Sequence, residues 1–179
     1  MTRRESLRLL AASAAVAQER AGLIESIELA EMWSNLDGSV QTWFHPRICR
    51  LPSHSENALL MTVQTISGSD VYGPVHWSLS TDLGRTWSRP EPIPGMGRRR
   101  MPDGVEEGYC DTVPEYHAPT RTALALAHNV YYQNNRLTRP SEARYPVYAV
   151  RDARGGWSAP RRLEWDHPDA TAMYTSGCS

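Results

Sequence analysis

The chain has 179 residues, of which 19 are Lys or Arg and 20 are Asp or Glu, for a formal net charge of −1. That balance gives no footing for nucleic acid or an acidic membrane surface as a partner. The 13 prolines and 12 glycines beside a single Phe argue for short strands joined by many turns, with no long helix after the N-terminal leader.

Thr2-Arg3-Arg4-Glu5-Ser6-Leu7-Arg8 resembles a twin-arginine export signal, with a serine where that signal usually has Phe. An alanine-rich apolar run follows, and Ala15-Val16-Ala17 matches an A-x-A cleavage site. Residues 1–17 are therefore expected to be a leader and 18–40 a lead-in segment. The mature protein is expected in a bacterial periplasm or outside the cell. The apolar run is far shorter than the ~20 residues that span a bilayer, so no membrane association is expected for the mature form.

From residue 41 the pattern turns to strands. His45-Pro46-Arg47-Ile48-Cys49-Arg50-Leu51 and Ala58-Leu59-Leu60-Met61-Thr62-Val63 read as two of them, and the polar stretch Ser67-Gly68-Ser69-Asp70-Val71-Tyr72-Gly73-Pro74 reads as a loop. Val75-His76-Trp77-Ser78-Leu79 is a third strand, running into Ser80-Thr81-Asp82-Leu83-Gly84-Arg85-Thr86-Trp87. There Asp82 is placed to accept hydrogen bonds from amides just after it, Gly84 tolerates positive φ, Thr86 resumes a strand and Trp87 covers the turn. Asp82 is thus read as structural, its carboxylate occupied in folding a hairpin. This SxDxGxTW pattern resembles the Asp box of the sialidase and BNR-repeat propellers without a mismatch.

The connection from Gly95 to Cys110 is long and carries Asp103, Glu106 and Glu107, which suits either a substrate-facing loop or a solvated one. Arg98-Arg99-Arg100 reads as solvated charge. The strand pattern then repeats through Val113-Pro114-Glu115-Tyr116-His117 and 122–127. A degraded second box follows, with Asp152, Gly156 and Trp157. Asp82 to Asp152, Trp87 to Trp157 and Pro90 to Pro160 share one offset of 70 residues. Such a period of strand-rich units is the sign of a β-propeller. The resemblance implies a six-bladed, all-β, sialidase-like propeller, of which this chain supplies blade one at about 41–95, blade two at about 110–166 and the start of a third at 170–179. Two blades would leave sheet faces without partners, so the chain is expected to be the N-terminal portion of a longer protein whose remaining blades are its neighbours. A self-assembling ring of short chains is the rival expectation.

The same resemblance suggests site residues. Sialidases carry an Arg-Ile-Pro motif on the first strand of the first blade, and Arg47-Ile48 falls there, with Cys49 in place of Pro. Arg47 is the candidate clamp for a substrate carboxylate, a task suited to the guanidinium fork; a salt bridge to a neighbouring blade is the other reading. Asp70 stands where the family places its general acid/base, although an Asp flanked by Ser and Gly also suits an ordinary turn. Glu115 is taken to hold in blade two the place of Arg47 in blade one. With Asp111, Tyr116, His117, His128, Asn129, Tyr131 and Tyr132 it forms a polar and aromatic set suited to a sugar. Cys49, Cys110 and Cys178 lack C-x-x-C spacing, which argues against a zinc site, and their odd number implies a free thiol or a partner elsewhere. No cofactor or metal is implied. The leading reading is an exported sialidase-like glycoside hydrolase acting on terminal acidic sugars of a glycoconjugate. The alternatives are a non-catalytic BNR propeller that binds a glycan or protein, and a related propeller cleaving a different sugar.

Overall fold

The computed structural model describes residues 26–34, 41–138 and 144–164. The leader at 1–17, the third-blade start at 170–179 and Cys178 therefore lie outside the described residues. The chain divides into two units, Met1–Glu31 and Met32–Ser179. Of the first, residues 26–31 are described; they are exposed and form no regular element.

The second unit is all-β, with no helix among the described residues. β1 (Gln41–Arg50), β2 (Leu59–Ser67), β3 (Val71–Ser80) and β4 (Glu91–Pro92) form a four-stranded meander in chain order. β5 (Arg99–Arg100), β6 (Glu106–His117), β7 (Thr122–Gln133), β8 (Arg136–Leu137), β9 (Pro146–Arg151) and β10 (Arg161–Arg162) form a second sheet, ordered β10-β9-β7-β6-β5 with β8 on β7. Every pairing is antiparallel. The Gly95–Cys110 connection is thus built into the second sheet through β5 and the start of β6.

Residues directly opposite each other in a ladder share a face, so the registers say what meets between the sheets. The first sheet presents Leu60, Thr62, Gln64, Val75 and Trp77. The second answers with Ala123, Ala125, Ala127 and Ala149, all fully buried. Small side chains on one face make room for Trp77 and Trp157, whose rings lie 6.3 Å apart. Two polar residues of the first sheet fasten the layers. Gln64 Nε2 donates to the Tyr109 carbonyl at 2.8 Å, and Thr62 Oγ1 to the Thr112 carbonyl at 2.8 Å. Both side chains are buried, so each must find a partner there.

The two sheets repeat each other closely. Ser88 N donates to the Leu79 carbonyl and Leu79 N to Ser88 Oγ; Ser158 and Val150 make the same pair of bonds. With Leu79 and Val150 equivalent, the registers make Leu60 equivalent to Leu124 and Cys49 to Glu115. Glu115 therefore takes the place of Cys49, and Val113 that of Arg47, which corrects the sequence alignment by two residues. β1 and β6 carry a bulge at matching positions, between Phe44 and Arg47 on β1 and between Cys110 and Val113 on β6. The first bulge residue is left-handed in each, His45 at φ 50° and Asp111 at φ 52°.

Candidate functional site

β3 is ten residues long and spans about 33 Å at the usual rise of roughly 3.3 Å per residue. Its two ends carry different chemistry, the β2–β3 turn with Asp70 at one and the Asp82 turn at the other. In the latter, Asp82 Oδ1 accepts from the Thr86 amide at 2.9 Å and from Ser80 Oγ at 2.9 Å, and Oδ2 accepts from Thr86 Oγ1 at 2.7 Å. Gly84, at φ 87°, donates its amide to Ser80 Oγ at 2.8 Å and accepts from the Trp87 indole at 3.1 Å. The Thr86 amide and hydroxyl lower the Asp82 pKa to about 2. At the equivalent turn Asp152 Oδ1 accepts from the Arg154 and Gly156 amides, both at 2.9 Å, and its pKa is likewise lowered, first by Gly156. Trp157 packs against both main core clusters, and the atoms nearest Gly155 in that turn are those of the Arg151 guanidinium. Every hydrogen bond of these carboxylates serves chain geometry.

The opposite end is organised around Tyr132. Its hydroxyl donates to the Asp70 carbonyl at 2.9 Å and accepts from the Tyr72 amide at 3.2 Å, holding the β2–β3 turn onto the second sheet. The Arg98 guanidinium stacks 3.9 Å over the Tyr132 ring and donates to the Tyr72 carbonyl, Asn135 and Glu106. Arg98 is thus a half-buried fastener rather than a solvated charge. Asp70 itself is exposed, with φ 57°, a conformation that a short polar residue accepts. Its carboxylate sits 3.4 Å from both the Ser69 and the Tyr72 hydroxyls.

Beside this turn is a pocket of about 230 Å³ lined by Asp70, Tyr72, Cys110, Asp111, His128 and Arg144, among others. Cys110 and His128 are directly paired across β6 and β7, and Sγ lies 3.0 Å from Nε2. The bulge turns the Asp111 carboxylate to the same side, where His45 Nδ1 from the first sheet meets it at 2.8 Å. Burial pushes the Cys110 thiol well up, and the Asp111 charge raises it further; burial and then Asp111 do the same for the Tyr72 phenol. Burial also pushes Tyr132 up, to about 12. The Cys110 thiol and the Tyr72 phenol are therefore hydrogen-bond donors at neutral pH, in a pocket that two carboxylates and one guanidinium also line.

The other sequence candidates lie elsewhere. Arg47, in mid-strand on β1, donates to the Pro46 carbonyl at 3.4 Å and is not a lining residue of this pocket. Glu115 is exposed near the far end of β6. There its charge adds to the burial that pushes the Cys49 thiol to about 11. His117, last on β6, bonds Thr120 at 2.7 Å, at the sheet end away from Asp70. No local motif marks Arg144 or His45, and the C-x-x-C spacing by which Cys110 is set aside as a metal ligand takes no account of His128, which ladder register brings to it.

A second pocket, of about 320 Å³, opens on the other face of the β6–β7 ladder, lined by Arg99, Tyr109, Tyr145, Arg161 and Arg162 among others. Beneath it Glu107 is buried and accepts from the Tyr145 hydroxyl, from Asn129 Nδ2 at 3.0 Å and from Arg99 at 2.6 Å. Burial alone would raise the Glu107 pKa, but these three donors outweigh it and the net shift is downward. A carboxylate so saturated holds β6 to the entry of β9 and has little left to offer a ligand. In comparisons with known proteins, the chain matches no protein-family model and no curated protein.

Proposed function

We propose that this chain forms stacked blades of a sialidase-like β-propeller that is exported and acts on terminal acidic sugars of glycans, with Asp70 as general acid/base. The observation that carries the reading is the convergence at one sheet end of Asp70, Asp111 and Arg144 on a single pocket, opposite the end that holds both Asp-centred turns. Such a pocket has the parts an acidic sugar needs, a guanidinium for its carboxylate and two carboxylates with the Tyr72 phenol for its hydroxyls and glycosidic oxygen. Arg144 rather than Arg47 takes the carboxylate-reading role in this arrangement. The stacking repeat supports the propeller. Leu124, Leu126, Tyr148 and Val150 are the equivalents of Leu60, Thr62, Trp77 and Leu79, so the second sheet carries, half-buried, a copy of the face by which the first sheet packs.

A second reading, a propeller that binds a glycan without cleaving it, is favoured by the exposure of Asp70, because a general acid is usually kept protonated by desolvation. Turnover of a fluorogenic sialoside by the full-length chain, with saturation-transfer NMR of the same ligand, separates the two. Hydrolysis that falls at least 100-fold in Asp70→Ala while binding persists supports the enzyme. Binding without turnover supports the second reading. Neither binding nor turnover overturns both.

A further inference from the structure

The donor set at the β6 bulge carries an inference independent of any sugar chemistry. Cys110 Sγ, a carboxylate oxygen of Asp111 and a ring nitrogen of His128 all lie within 4.8 Å of one another. Cys110 and His128 are 2% and 3% exposed, so two of the three donors are fixed in the packed interior. The third is delivered by a left-handed residue in a bulge, a backbone arrangement that costs free energy and places the carboxylate beside the thiol. His45 Nδ1 stands 2.8 Å from that carboxylate on the first-sheet side, the place that second-sphere partners of metal ligands take.

We propose that Cys110, Asp111 and His128 form a binding site for one divalent transition ion of the zinc class, with a fourth coordination position open toward the pocket that Asp70 and Arg144 line. One sulfur, one nitrogen and one oxygen donor form a borderline-soft set, suited to zinc or cobalt and unsuited to magnesium or calcium, which take oxygen alone. Charge agrees, because a thiolate, a carboxylate and a neutral imidazole together balance a 2+ ion, which lets the ion sit where burial would otherwise forbid it. Size agrees as well. Tetrahedral zinc with bonds of about 2.3 Å to sulfur and about 2.0 Å to nitrogen sets those atoms roughly 3.5 Å apart, while Sγ and Nε2 stand 3.0 Å apart here. Opening the pair by about half an ångström admits the ion. Binding displaces the thiol proton to solvent. The ion would tie β6 to β7 at the bulge and, through His45, to the first sheet. Its open position takes water or an oxygen of whatever enters the pocket.

The test is cobalt(II) titration of the full chain after chelator treatment, read by absorption, with zinc as competitor. One equivalent should bind, with a thiolate-to-cobalt charge-transfer band in the near ultraviolet that zinc abolishes. Cys110→Ser should remove the band, and Asp111→Asn, which keeps the shape of the bulge, should weaken binding at least tenfold. The combined Cys49→Ser and Cys178→Ser protein should retain the band. Zinc should also raise the melting temperature of the unmodified chain, a readout that survives if Cys110→Ser fails to fold. Absence of stoichiometric binding by the unmodified chain overturns the proposal. A bound ion without the sulfur band, or one that Asp111→Asn leaves unchanged, overturns it equally.

Discussion

The two sheets are copies in backbone and opposites in chemistry. At the bulge of the first stand Phe44 and His45, with Gln64 across from Phe44; at the bulge of the second stand Cys110 and Asp111, with His128 across from Cys110. Gln64 is spent on the junction, donating to the carbonyls of Gly73 and Tyr109. His128, its equivalent, lines a pocket. One backbone device thus serves packing where the next sheet covers it and presents donor atoms where a cavity adjoins it. Position in the stack decides which of two equivalent residues fastens the junction and which lines a cavity.

The packing half of this comparison breaks most sharply at the leucines. Leu60→Ala should cost about 3 kcal/mol, since the side chain is fully buried and leaves a cavity. Leu124→Ala, at the equivalent but half-buried position, should cost about 1 kcal/mol. Equal losses in urea melts would refute the assigned difference between the two faces. Next comes the polar pair. Gln64→Leu should cost about 2 kcal/mol by leaving buried carbonyls short of a donor, and His128→Gln in metal-free protein less than half of that, both read from denaturant midpoints.

The turns give a pH-dependent form of the same test. An unfolded Asp titrates near 3.9, while folded Asp82 is lowered to about 2. As acid is added the unfolded chain takes up this proton first. The contribution of Asp82 is therefore complete above about pH 4 and is lost as the pH falls toward 2. Asp82→Asn should flatten that part of the acid-unfolding curve, and Asp152→Asn should flatten a smaller part of it. The smallest effect should fall on the matched serines. Ser88→Ala and Ser158→Ala each remove one acceptor for a strand amide and should cost about 0.5 kcal/mol apiece. A large difference between them in thermal melts would mean that the two turns are not equivalent after all.

The Asp82 turn was legible in the sequence because everything it needs lies within eight residues: a carboxylate, the amides four residues on, a glycine that accepts positive φ and an indole to cover it. The strand content and the turn positions were legible for the same reason. The correspondence of Glu115 with Arg47 was misread because the spacing between repeats changes from strand to strand. The offset is 66 residues from Arg47 to Val113, 64 from Leu60 to Leu124 and 71 from Leu79 to Val150, so matching Pro46 with Pro114 by pattern places Glu115 two residues out of register. Arg98 was misread because its partners, Tyr72, Tyr132 and Asn135, belong to strands and turns far along the chain.

By itself, then, the sequence determined the local elements, an all-β chain with two similar strand-and-turn units, because hydrogen bonds between near neighbours and side-chain alternation act over a few residues. The tertiary structure alone decided which residues meet. Cys110 and His128 come together through ladder register, Asp111 joins them through a bulge, and Asp70 and Arg144 arrive from different sheets. Register and stacking are set by the sum of many weak contacts between the alanine face and the tryptophan face, and no short stretch of residues carries that sum.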